Sequence, residues 1–307
     1  VNGFELCQMI REEVGCPICG ADAFRFGRFA WYGDPLNDPW KIYCPNCRNR
    51  FPTNDFASYY ASGLDERGEF RPELADRSLL VNELYPERGE SWGVDDGFGW
   101  TDEAGNRFTF VACYHHWKVW MKALPGNPPH APSSLLDEGG IVAAGLDALR
   151  DAFVLTGEPR YARAGLALLC RVADVYPRMD CSVFRWEDGF KNSHGMRGTG
   201  KAVGCIWETL LVQSLILAYD AFFPVLSDPE ALRILRVHGG TADPESVQRH
   251  IEESILLPVL DDIRADRIRG NNGMHQCALA LAAVVLDRPE VTGAWLRLLF
   301  GTPDSGE

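Results

Sequence analysis

The segment Arg269-Gly270-Asn271-Asn272-Gly273-Met274-His275-Gln276 places three amide side chains and an imidazole just before an apolar run, Cys277 to Leu286. A helix beginning near Gly273 would aim its unpaired N–H groups and the positive end of its dipole at whatever these side chains hold, which suits a carboxylate. Asparagine can donate to that carboxylate without adding charge of its own. The alternative is that Asn271 or Asn272 simply caps the helix. A second polar stretch, Lys191 to Lys201, carries two Lys, one Arg and one His in eleven residues, and no acid occurs from Lys191 to Ile206. Gly195, Gly198 and Gly200 allow close backbone approach, so this loop suits an anionic group, with a solvated turn as the alternative. Lys191, His194, Arg197 and Lys201 are therefore expected to face the same cleft as Asn272. Trp207, Gln276 and His116 complete the expected substrate-binding set.

Four cysteines offer a different chemistry. Cys16-Pro-Ile-Cys19 and Cys44-Pro-Asn-Cys47 put paired thiols on two tight turns, the pattern that holds tetrahedral zinc. A pair of disulfides is the alternative, but cysteines within one knuckle make poor disulfide partners. A zinc held by four cysteines would be structural, substituting for a core that so short a segment cannot build. The other six, Cys7, Cys113, Cys170, Cys181, Cys205 and Cys277, are scattered, and most read as buried free thiols.

These groups need a frame. The chain has 307 residues, 46% of them apolar, enough for a sizeable core in one or two domains. A net charge of −13 and a pI near 5.0 disfavour a nucleic-acid partner or an anionic membrane. No apolar run reaches the roughly 18 residues of a membrane span. The N-terminus, Val1-Asn-Gly-Phe, reads as that of a mature or trimmed chain, and the loop-like composition after Phe300 as a stop inside a larger protein. A short helix is expected over Glu5 to Glu13. Residues 1–52 form a helix and a zinc-ribbon-like segment, and residues 53–131 an irregular aromatic-rich arm whose exposed rings could stack on sugars. In that arm Phe108 to Val111 reads as a short strand, and His115 and His116 could reach a site. Residues 132–307 read as helical hairpins: Val142 to Phe153, Tyr161 to Val175, Val203 to Phe223, Asp228 to Val237, Pro244 to Arg267, the Ala/Leu helix, expected to be buried nearly all round, and Pro289 to Phe300. The fold class is mainly α, an incomplete α/α toroid.

Taken together, the two Cys-Pro-x-Cys knuckles, Phe51-Pro-Thr-Asn-Asp-Phe56, Trp92-Gly-Val-Asp-Asp-Gly97, the helical hairpins and Gly270-Asn-Asn resemble the heparinase II/III-like polysaccharide lyases. The resemblance implies a toroid followed by a β-sandwich half that is not in this sequence. It implies cleavage of a uronic-acid polysaccharide, a glycosaminoglycan or alginate, by β-elimination, and a bacterial periplasmic or secreted setting. Asn272, supported by Asn271, matches the residue that neutralises the uronate carboxylate. Many relatives carry His directly after that Asn. Here Gly273 stands there, and His275 is the substitute. The family's catalytic Tyr would fall past Glu307, so this chain would hold only part of the catalytic centre. The rival readings are a non-catalytic zinc-ribbon interaction protein and a toroidal glycoside hydrolase using Asp95 with Asp96 or Glu208.

Overall fold

The computed structural model describes residues 14–26, 31–66, 68–120, 140–180, 200–203, 206–237 and 243–300, except the side chains of His116 and Trp117. The expected helix over Glu5 to Glu13 lies outside these residues. The chain divides into two compact units, one of Val1–Ile141 with Phe184–Asn192, the other of Val142–Val183 with Ser193–Glu307.

The first unit is built on a small antiparallel sheet, β1 (Tyr32–Asp34), β2 (Asp38–Tyr43) and β3 (Arg50–Phe51), with Tyr32 opposite Tyr43 and Ile42 opposite Phe51. The helix α1 (Phe56–Ser62) follows, started by Asp55, whose carboxylate accepts from Ser58 N at 3.1 Å. A two-stranded ribbon, β4 (Trp100–Thr101) and β5 (Arg107–Phe108), leads into α2 (Phe110–Tyr114). The strand expected over Phe108 to Val111 therefore stops at Phe108. The Val111 N–H is drawn to the buried carboxylate of Asp95 at 3.1 Å, and this turns the chain into a helix. Aromatic rings pack on one another instead of standing out as sugar platforms. Phe51 stacks on Phe110 at 4.6 Å between ring centres, Trp100 on Phe108 at 5.3 Å and Tyr60 on Phe70 at 4.9 Å. Cys16, Cys44, Phe51, Phe108 and Phe110 belong to one core, so the knuckles and the aromatic stretch share their interior.

The regular elements among the described residues of the second unit are all helices, chiefly α3 (Ile141–Thr156), α4 (Pro159–Val175), α5 (Glu208–Phe222), α6 (Pro229–Val237), α7 (Pro244–Ile251), α8 (Val259–Arg264), α9 (Asn272–Leu286) and α10 (Pro289–Phe300). Side-chain contacts fix the directions. Gly165 in α4 abuts the ring of Phe222 at the end of α5, while Tyr176, just past α4, hydrogen-bonds Glu208 at the start of α5. Those two helices are antiparallel. Gly270 abuts Thr209, and the Cys277 thiol meets Gln213 at 3.5 Å, so α9 runs parallel to α5 and starts at the same end. Tyr219 bonds Glu252 near the far end of α5 and Lys201 bonds Asp262 at the near end, so the α7–α8 segment runs against both.

Two expected helix boundaries move, each for a physical reason, and one expected burial does not hold. The helix expected from Val203 begins at Glu208, because the Glu208 carboxylate takes the N–H groups of Ala202 (3.1 Å) and Val203 (2.6 Å) and holds that segment as a turn. The single helix expected over Pro244 to Arg267 breaks into α7, a π-helical turn at Glu252–Leu256 and α8, since Pro258 supplies no N–H. The Ala/Leu helix is not buried all round. Ala278, Leu279, Ala282, Ala283 and Leu286 face the core, whereas Asn272, Gly273, Gln276, Cys277 and Val284 are exposed. The 18-residue stretch Glu208–Val225 passes a membrane-span test of length and composition, yet 61% of it is buried inside the fold. It is a core helix by packing.

Candidate functional site

In the first unit the two knuckles converge. The ligand atoms of Cys16, Cys19, Cys44 and Cys47 all lie within 4.8 Å of one another, with Cys16–Cys47 sulfurs 3.7 Å apart and Cys19–Cys44 sulfurs 3.5 Å apart. All four are free thiols, which excludes the disulfide alternative. Tetrahedral zinc with sulfur at ~2.3 Å requires sulfur–sulfur edges of about 3.8 Å, so the cluster is already close to ligand geometry. Each knuckle is closed by a left-handed residue after its second cysteine. Gly20 (φ 56°) returns its N–H to the Cys16 carbonyl at 2.8 Å, and Arg48 (φ 62°) returns its own to Cys44 at 3.0 Å. Taken by themselves the thiols share charge unevenly. A hydrogen bond from Cys16 pulls Cys44 down to about 5 and pushes Cys16 above the ordinary thiol range, while burial raises Cys19. A cation at the centre would favour all four thiolates.

The motifs Phe51 to Phe56 and Trp92 to Gly97 form a clasp within the same unit. Asn54 donates its amide to the Asp95 carbonyl at 3.0 Å and accepts the Asp95 N–H at 3.0 Å. The Asp95 carboxylate, fully buried, accepts from Gly97, Gly99 and Val111 N–H groups. Burial raises its pKa to about 6 against the pull of those three donors. Thr53 seals the clasp by donating to the Trp92 carbonyl at 2.7 Å. His115 accepts from Trp120 Nε1 at 3.0 Å, and burial lowers its pKa to about 4, so it is a neutral packing group. The His116 side chain lies outside the described residues. Cys113 is disulfide-bonded, which corrects its reading as a free thiol. Cys170 and Cys277 are free, while Cys7, Cys181 and Cys205 lie outside the described residues.

In the second unit the amide cluster at the start of α9 lies beside the head of α5, through Gly270 against Thr209, and the turn that follows Lys201, the last residue of the basic stretch, is bonded to Glu208 at the same place. Asn271 occupies the N-cap position of α9 but makes no side-chain cap bond; its carbonyl instead accepts Met274 N at 3.0 Å and His275 N at 3.1 Å. Asn272 is the first helical residue. Both asparagines are exposed, and the Asn271 amide is not spent on capping the helix. His275 is partly buried with Nε2 3.0 Å from the Ile268 carbonyl. A carbonyl only accepts, so Nε2 is the donor of this pair, and Nδ1 is the ring nitrogen not engaged by it. Gly270 is required here, because a Cβ would lie 2.5 Å from the Thr209 methyl and 3.0 Å from the His275 ring. Gln276 is exposed one turn along the helix, and Trp207 is partly buried at the head of α5.

Lys201 departs from its expected role. It is 2% exposed, its ammonium bonded to the buried Asp262 carboxylate and lying 4.6 Å from the centre of the Tyr176 ring. A side chain so enclosed does not face a polyanion. The reason is local: Asp262 turns inward from α8 toward the turn before α5 and takes the ammonium. Lys191, His194 and Arg197 lie outside the described residues. Glu208 is also fully buried, accepting from Tyr176 Oη at 2.8 Å in addition to its two backbone donors. It and Asp95 are structural acids and neither is placed to protonate a glycosidic oxygen, which removes the main support for the hydrolase reading. Comparison of the chain with protein-family models, with curated proteins and with solved structures found no match.

Proposed function

We propose that this chain is the helical part of a polysaccharide lyase that cleaves a uronic-acid polymer by β-elimination. The observation that carries this reading is the pair of exposed amides of Asn271 and Asn272 at the start of α9, one turn from a histidine whose Nε2 is held by the Ile268 carbonyl. The C5 proton of a uronate is weakly acidic, and its carboxylate destabilises the carbanion. Hydrogen bonds from Asn272, supported by Asn271 and the helix N–H groups, let the charge delocalise onto that carboxyl group. His275 Nδ1 takes the C5 proton, the C4–O4 bond breaks as the C4=C5 double bond forms, and an acid protonates the departing O4. The parallel course of α5 and α9, which begin at the same end, supports a place in the inner layer of an α/α toroid, whose inner helices would present one mouth to the polymer. The ion in the four-cysteine cluster is zinc in this reading, and it is structural because the protein fills every coordination position.

The test is incubation of the protein with hyaluronate, chondroitin sulfate, heparan sulfate and alginate, with ultraviolet absorbance following the new C4–C5 double bond. Growth of that absorbance with one polymer is the expected result. Depolymerisation without it would indicate hydrolysis, and no cleavage of any of the four would remove the lyase reading for these substrates.

A further inference from the structure

We infer that the buried Lys201–Asp262 ion pair is a positioning latch that sets the register of the Asn271–His275 turn; this rests on the lyase reading for its meaning, though not for its test. Both partners are nearly sealed from water, at 2% and 5% exposure. Burying two charges is costly, and apolar residues of similar volume often stabilise a fold as well or better, so such a pair is best understood through what it aligns. Here it joins the turn before α5 to the segment that leads into α9. From Asp262 an unbroken chain of bonds reaches the site. The Asp262 carbonyl accepts Arg267 N at 2.8 Å and Ile268 N at 3.1 Å, folding the segment back on itself, and the Ile268 carbonyl then holds the His275 ring at 3.0 Å. The other carboxylate oxygen of Asp262 lies 3.4 Å from Arg267, whose guanidinium also donates to the Pro177 carbonyl at 2.7 Å. On the α5 side, Glu208 gathers Ala202, Val203 and Tyr176, and Tyr176 presents its ring to the Lys201 ammonium. Lys201 and Asp262 touch no substrate in this scheme; they act through Ile268 and Gly270 on His275 and Asn272.

The test is the paired apolar variant Lys201→Met with Asp262→Leu in the full chain, which removes both charges together. The melting temperature is expected to stay within a few degrees of the parent. The His275 Nε2–H, followed by nitrogen-15 imidazole NMR, should exchange with solvent at least about tenfold faster, because the Ile268 carbonyl is no longer held in place. On a polymer that the parent cleaves, kcat should fall roughly 10- to 100-fold with KM changed less than about threefold, the signature of misplacement without lost binding. Unchanged exchange of Nε2–H overturns the latch whatever the turnover does. Faster exchange in a protein whose parent cleaves none of the four polymers supports the latch and sinks the lyase reading, so the two fail separately. Should the paired variant not fold, Asp262→Asn keeps the shape and one hydrogen bond while removing the charge. Faster Nε2–H exchange in that variant supports the latch and unchanged exchange overturns it.

Discussion

Asn54 and Asn272 are the same residue at the head of a helix in two separate units, and the protein treats them in opposite ways. Asn54 is fully buried and gives both its donor and its acceptor to the backbone of Asp95, so its amide does nothing but join two stretches of chain. Asn272 is exposed at the start of α9, beside an N-cap asparagine whose side chain makes no cap bond. A folded chain rarely leaves strong hydrogen-bonding groups clustered at a helix N-terminus without some partner, be it water or a ligand. The first unit therefore directs its polar side chains toward holding its own shape, and the second keeps a set available. The buried acids Asp95 and Glu208, one in each unit, follow the first pattern, since each is enclosed by three donors.

The comparison can be broken most forcefully at the four-cysteine cluster. Cys16→Ser should abolish stoichiometric zinc and remove the cooperative melting transition of the first unit, because structural zinc contributes on the order of 10 kcal/mol. Metal analysis and calorimetry on the same sample check this, and a variant that melts like the parent would mean the four thiols need no ion. Next in size is Asn54→Ala, which leaves the buried N–H and carbonyl of Asp95 unpaired and should cost about 2–4 kcal/mol by denaturant titration. An effect below about 1 kcal/mol would show that the clasp is ornamental to stability.

A smaller effect comes from His115. Its folded-state pKa is depressed by burial to about 4 from an ordinary 6.5, so below that upper value the unfolded chain binds a proton that the folded chain does not. Stability should consequently fall as the pH drops from 6.5 toward 4 and be insensitive to this group above it. His115→Gln, which can still accept from Trp120, should flatten that part of the profile. The difference between parent and variant cancels the acid sensitivity of the four knuckle cysteines. Parallel profiles for the two proteins would place the His115 ring in contact with water.

Sequence reading reached the knuckles and most helices because their signals are local: Cys-x-x-Cys spacing, 3.6-residue periodicity, and Pro or Gly at the ends. It missed what depends on distant partners. The Asn54–Asp95 clasp joins residues 41 apart and the Lys201–Asp262 pair residues 61 apart, and neither leaves a periodic mark. Lys201 looked like a free cation because its acid-free neighbourhood was visible and its buried acid was not. The start of α5 slipped from Val203 to Glu208 for a related reason, a side chain competing with the helix for backbone N–H groups. The amide cluster at Asn271 and Asn272 was legible because composition alone concentrates it there. That the Asn271 side chain does not cap its own helix could be learned only from the geometry.

The claim that Asn272 is kept for a substrate carboxylate is tested most directly by Asn272→Asp, measured for both melting and elimination on whichever polyuronate the parent cleaves. Aspartate at the head of a helix favours the dipole as well as asparagine does, so the melting temperature should hold or rise slightly. The same change sets a second anion against the uronate carboxylate and removes a donor, so kcat should fall by at least roughly 10²- to 10³-fold. A variant that melts normally and still eliminates at close to the parent rate would contradict the account and take Asn272 out of the chemistry.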